Sequence, residues 1–126
     1  MVLRHVALTS SSEKNADTFY AALLGLTKSE PKTLPFELSK AIFNIDAELL
    51  MINYQDENAH FEIFITGSHQ GNSRKIEHTC LEVDNLEVFL ENCRSLNIDI
   101  ARIPKGHKTL TFIKDFDGNL FEIKKG

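Results

Sequence analysis

Two histidines and two glutamates recur at matching places along this 126-residue chain, and together they could hold a divalent metal. The chain opens with Arg4-His5-Val6-Ala7-Leu8 and later reads His60-Phe61-Glu62-Ile63-Phe64. Glu77-His78-Thr79-Cys80-Leu81 then repeats the opening, and Leu120-Phe121-Glu122-Ile123-Lys124 repeats the close. Each half begins with a strand-like segment bearing a His and ends with one bearing Phe-Glu-Ile. Zn(II), Ni(II), Co(II), Mn(II) and Fe(II) all accept imidazole and carboxylate donors. A repeat of this kind fixes the architecture before any local detail does.

Strand alternation tests whether the four residues can share a site, because successive side chains point to opposite faces. His5 is out of phase with Val6 and Leu8, and Glu62 with Phe61, Ile63 and Ile65. His78 is out of phase with Leu81 and Val83, and Glu122 with Phe121 and Ile123. All four therefore point away from the face that packs under helices. A polar residue on an open strand face is ordinary by itself. The matched placement, two in each half, raises these four above that background. His60 shares a face with Glu62 and is an alternative ligand, and Glu82 shares the face of His78. His69 and His107 fall in loops, and Glu48 and Glu57 flank strands as surface charges. No Ser-His-Asp order, Walker loop or dinucleotide-binding glycine pattern is visible.

The elements that must position these residues follow from periodicity and punctuation. Residues 2–9 read as a strand. Ser10-Ser11-Ser12 offers N-cap hydroxyls, and Ala16, Phe19, Tyr20, Leu23 and Leu24 fall at helical spacing, with Gly25 to end the helix. Pro31 and Pro35 mark 26–36 as an edge strand or loop. Strands are expected at Ser39–Ile45, Glu48–Tyr54 and His60–Thr66, with turns at Asp46-Ala47 and Gln55–Ala59. The polar stretch Gly67–Lys75 reads as a linker. In the second half, Ile76–Val83 is a strand, and Asp84 or Asn85 caps a helix with Leu86, Phe89, Leu90, Cys93 and Leu96 on one face. Strands are expected at Ile98–Arg102 and Thr109–Ile113 with Pro104–Lys108 between them, a turn at Asp115–Asn119 and a last strand at Leu120–Lys124. The class is α+β: strand, helix and several strands, twice.

Composition narrows the partners. The formal charge is −4 with no long basic run, which disfavours nucleic acid. Lys105-Gly106-His107-Lys108 is the nearest thing to a basic patch and reads as a solvated loop able to hold one anionic group. No apolar run approaches the roughly 20 residues of a membrane span, and the start lacks the apolar stretch of a signal peptide. Cys80 and Cys93 have no metal-type spacing and read as reduced core residues, which suits the cytoplasm.

Several motifs in order resemble the vicinal oxygen chelate superfamily, which includes glyoxalase I, fosfomycin and bleomycin resistance proteins, methylmalonyl-CoA epimerase and extradiol dioxygenases. They are His5-Val6-Ala7-Leu8, Phe19-Tyr20-Ala21-Ala22-Leu23-Leu24-Gly25-Leu26, His78-Thr79-Cys80-Leu81-Glu82-Val83-Asp84 and Asp115-Phe116-Asp117-Gly118-Asn119-Leu120-Phe121-Glu122-Ile123. The last is similar to the family's Asp-Pro-Asp-Gly-Asn-Leu ending, with Phe116 in place of Pro. The resemblance implies one domain over residues 1–126: two βαβββ modules, about 1–66 and 76–126 around a linker at 67–75, whose curved sheets surround a metal-binding funnel. It also implies His5, Glu62, His78 and Glu122 as metal ligands. A carboxylate at Glu62 fits the two-His, two-Glu set of the glyoxalase I-like branch. The fosfomycin-type site resembles His-His-Glu, the epimerase usually carries Gln there, and bleomycin-binding members lack the ligands. The implied activity is a lactoylglutathione lyase-like reaction on a 2-oxoaldehyde–thiol adduct or related carbonyl compound, through an enediolate. Ni(II), Co(II) or Zn(II) would be the metal, and Glu122 or Glu62 the base. The alternatives are a small-molecule-binding, resistance-type protein without catalysis and an acyl-CoA epimerase. Arg4, Arg102, Lys105 and Lys108 are available to an anionic substrate, while Ala41–Ile45 with Phe64 and Phe112 could line an apolar one. The resemblance further implies a homodimer, with the funnel formed within one chain or across two.

Overall fold

A computed structural model describes residues 2–68 and 77–126. The chain divides into two compact units, Met1–Gln70 and Gly71–Gly126. In the first, β1 (Val6–Ser10) leads into α1 (Glu13–Ala16), which continues as π-helical turns over Asp17–Leu23. Ser12 caps this helix, its hydroxyl accepting from the Asn15 amide at 3.1 Å. Gly25 ends it at φ 74°, a conformation that costs a residue with a Cβ. Then come β2 (Thr27–Lys28), β3 (Lys32–Leu34), α2 (Phe36–Phe43), β4 (Leu49–Gln55) and β5 (His60–Ile65). The strand order is β1-β5-β4-β2, with β3 also on β4 and β1 parallel to β5.

The second unit holds β6 (Thr79–Val83), α3 (Leu86–Ser95), β7 (Ile100–Lys105), β8 (Lys108–Lys114) and β9 (Leu120–Lys125). Its order is β6-β9-β8-β7, with β6 parallel to β9. The two units thus carry the same βαβββ plan, provided β2 and β3 count as one broken edge strand. Their pairings with β4 support that reading. Between Lys28↔Tyr54 and Lys32↔Met51, Ser29, Glu30 and Pro31 stand against Ile52 and Asn53 alone. One extra residue on the edge makes a bulge, where Pro31 needs no ladder hydrogen bond. Pro104 is likewise tolerated because β7 is an edge strand.

Each core lies between one helix and one face of its own sheet. In the first unit Ala16, Phe19, Tyr20 and Leu23 pack against Ile52, Tyr54, Phe61 and Ile63, and the Tyr20 ring lies 5.5 Å from both the Tyr54 and the Phe61 ring. In the second, Leu90 and Cys93 of α3 are buried, as are Ile113, Phe121 and Ile123 of the sheet. Among the described residues no helix is long and apolar enough to cross a membrane.

The strand expected at Ser39–Ile45 is instead part of a helix, α2. Ala41, Phe43 and Ile45 alternate as a strand would, but Leu38/Ile42 and Ser39/Phe43 also fall at i, i+4. The ends decide it. Pro35 takes the extended N-cap conformation, and Asn44 closes the helix in the left-handed region at φ 57°, its amide donating to the Lys40 carbonyl. The expected 98–102 strand begins two residues later and runs to Lys105, so Gly106 and His107 alone turn it into β8. The expected start of a strand at Ile76, most of the 67–75 linker and His69 lie outside the described residues.

Candidate metal centre

Each unit brings one His and one Glu together, and both do it in the same way. In the first, His5 immediately precedes β1 and Ala7 pairs with Glu62 of β5. In the second, His78 immediately precedes β6 and Cys80 pairs with Glu122 of β9. The His therefore stands two residues before the register partner of the Glu, on the same face of the sheet. His5 Nε2 lies 3.6 Å from Glu62 Oε2, and His78 Nε2 lies 3.3 Å from Glu122 Oε2. The exposures match too: 43% and 20% for the His5 and Glu62 side chains, 46% and 14% for His78 and Glu122.

The face expected from alternation is the face observed. Phe61 and Ile63 are buried on the helix side of β5, and Phe121 and Ile123 on the helix side of β9. The Glu of each strand therefore projects to the side its helix does not cover. The turn before β9 is tightly made. Asp115 Oδ1 accepts from the amides of Asp117 and Asn119 at 3.0 and 2.9 Å, and Asn119 Nδ2 donates to Asp115 Oδ2 at 2.6 Å. Phe116 sits inside this ring of bonds.

Of the other groups on these faces, sequence singled out His60 and Phe112 but not Asn53 or Lys124. Asn53, the register partner of Glu62, has its Oδ1 2.7 Å from His60 Nε2, and the His60 ring lies 5.3 Å from that of His5. The alternation of Ile52 and Tyr54, both buried, was the available signal for Asn53. The Phe112 ring meets His78 edge-on at 5.9 Å. Glu122 Oε1 is also 3.7 Å from Lys124 Nζ. Arg102 pairs with Thr111, whereas Phe112, the register partner of Glu122, pairs with Ala101; Arg102 therefore projects from the opposite face. Lys105 and Lys108 pair across the hairpin tip, and His107 is exposed in its turn. Cys80 is exposed rather than a core residue, whereas Cys93 is buried and its thiol pushed up to about 11 by desolvation.

A pair supplies two donors, and protein metal sites need three or four. Among the described residues no three His, Cys, Asp or Glu side chains gather closely enough to hold a metal ion. The donor set as a whole, two imidazoles and two carboxylates, suits a divalent transition metal.

The fold matches solved structures along nearly its whole length. A glyoxalase family protein from Enterococcus faecalis matches with a TM-score of 0.69 at 18% identity, over 97% of this chain and 95% of that one. The fosfomycin resistance protein FosX from Mesorhizobium loti matches at 0.71 and 12% identity, over 99% and 91%. FosX from Listeria monocytogenes, solved with Mn(II) and sulfate, matches at 0.70 and 16%, over 99% and 92%. No family model and no curated protein matches the sequence. The chain has the vicinal oxygen chelate fold, built of paired βαβββ modules.

Proposed function

We propose that this protein is a metal-dependent enzyme of the glyoxalase I-like type, acting on a small 2-oxoaldehyde–thiol adduct or a related carbonyl compound. His5, Glu62, His78 and Glu122 hold the metal. The observation that carries this reading is the identical register of the two His–Glu pairs, each on the face of its sheet away from α1 or α3. Two unrelated solvated pairs have no reason to share register, exposure and approach. The two pairs combine into one four-donor site in a homodimer, either within one chain or with His5 and Glu62 of one copy meeting the other pair from its partner.

A divalent metal there supplies Lewis-acid charge stabilisation for a carbonyl oxygen, worth several kcal/mol at a developing negative charge. The residues do the proton chemistry. Glu122 removes the proton from the carbon next to the carbonyl and returns it to the neighbouring carbon. His78, 3.3 Å away, orients the carboxylate, and burial of most of the Glu122 side chain keeps water from competing for it. Glu62 is the alternative base. Glu122→Gln is expected to abolish turnover of the methylglyoxal–glutathione hemithioacetal, by about a hundredfold or more, while metal content falls far less. Substantial activity in that variant would remove Glu122 from the role.

A second reading has a specific observation behind it: among the described residues no three His, Cys, Asp or Glu side chains gather closely enough to hold a metal ion. A resistance-type binding protein would show ligand affinity without turnover and would tolerate chelation. An enzyme loses activity with EDTA and regains it with Ni(II), Co(II) or Zn(II).

A further inference from the structure

The two units differ most at one connection. In the second, Gly106 and His107 alone join β7 to β8, with Lys105 pairing to Lys108. The equivalent link in the first, from β3 to β4, carries α2. The Phe43 ring of α2 meets Phe64 edge-on, at 5.2 Å between centroids and 70° between planes. Phe64 lies on the Glu62 face of β5, two residues along, which is about 7 Å. It is only 6% exposed, although that face is the one α1 leaves open. The helix α2 therefore covers the Glu62 side of the sheet, opposite α1.

A second observation concerns the underside of α2. Ser39 stands one turn before Phe43, hence on the same side of the helix. It is fully buried, and its hydroxyl has no hydrogen-bond partner. An orphaned buried hydroxyl is unfavourable unless a ligand or water supplies the bond. The charges of α2 do not favour an anionic occupant: Glu37 is negative, and Lys40, its one cation, is paired with Asp46 at 2.9 Å. Phe36, Leu38 and Ile42 extend the apolar character to its exposed sides.

We propose that α2 is the substrate-recognition element of the Glu62 face. Phe43 and Phe64 hold an uncharged apolar group next to the substrate's two oxygens, and Ser39 Oγ hydrogen-bonds a polar atom of the same molecule. The substrate is then an aryl- or alkyl-substituted carbonyl compound rather than one with a carboxylate at this position. The inference rests on the metal-dependent reading above.

Acetohydroxamate and benzohydroxamate test it, because each presents the same two vicinal oxygens and they differ in methyl against phenyl. Both are titrated into the Co(II)-loaded protein and followed by the cobalt spectrum. Parent protein is expected to bind benzohydroxamate about tenfold tighter or more. Phe43→Ala should reduce that preference to about threefold or less, by weakening benzohydroxamate far more than acetohydroxamate, and be largely rescued in Phe43→Leu. Ser39→Ala should weaken both probes by a similar factor while raising the Tm, since it removes the orphaned hydroxyl. Equal binding of the two probes by parent protein overturns the proposal, as does a Phe43→Ala variant that keeps the preference. So does a Ser39→Ala variant with parent affinities. Retention of Co(II) with no hydroxamate binding also overturns it, but leaves the metal site standing. Failure to retain Co(II) sinks the metal reading itself, and this inference with it.

Discussion

A polar cluster of the first unit lies on the face away from Glu62. Tyr54 donates its hydroxyl to Asp17 Oδ1 at 2.7 Å, and Lys28 bonds both Asp17 and Glu13. Burial, then the Asp17 carboxylate, raises the Tyr54 pKa, and the Glu13 carboxylate raises that of Lys28 above its ordinary 10.5. Both groups are held protonated by the fold. Their contribution is whole below the unfolded values near 10 and is lost as pH climbs past them toward the folded values. Cys93, raised from 9.0 by burial, acts in the same sense, so the Tm should begin to fall at about pH 9 and fall more steeply above about 10. Tyr54→Phe should lower the Tm at neutral pH and flatten the alkaline fall; an unchanged slope would mean another group titrates. Of the four candidate ligands, the faces of Glu62 and Glu122 were legible because each sits between two apolar residues that declare the inner side, and those of His5 and His78 because Val6 and Leu8, and Leu81 and Val83, set the phase of their strands. Asn53 and Ser39 were not, since their significance lies in what opposes them and not in their neighbours along the chain.

At the scale of elements, capping explains which segments could be read. Ser12 and Asn85 announce α1 and α3, and Asn85 Oδ1 accepts from the Val88 amide at 3.1 Å. Asn85→Ala should cost about 1 kcal/mol in urea unfolding; no loss would mean that tertiary packing alone holds the end of α3. The edge strand was only half legible. Pro31 signalled an edge, but the bulge that sets its register depends on partners in β4. The helix α2 was misread because a segment of eight residues satisfies both periods, and only Pro35 and Asn44 break the tie. That ambiguity fell on the one element by which the two modules differ most. The repeat itself, strand–helix–strands with a Phe-Glu-Ile close, was visible because both copies keep it.

For the whole molecule, the dimer proposed here makes a prediction of its own. His5→Ala and His78→Ala each break both sites of a homodimer built from modules of different chains. In a mixed dimer one site collects both defects and the other has none. Unfolding and refolding an equal mixture should then restore about a quarter of parental metal binding. No restoration would place all four ligands in one chain.

The central claim is that His5, Glu62, His78 and Glu122 form a metal centre. Elemental analysis of untagged protein, beside the double variant His5→Ala, Glu122→Ala, tests it most directly. The account requires near-stoichiometric metal in the parent and none in the variant. A parent that stays empty after incubation with Ni(II), Co(II), Zn(II) and Mn(II) would contradict it and leave a small-molecule-binding protein.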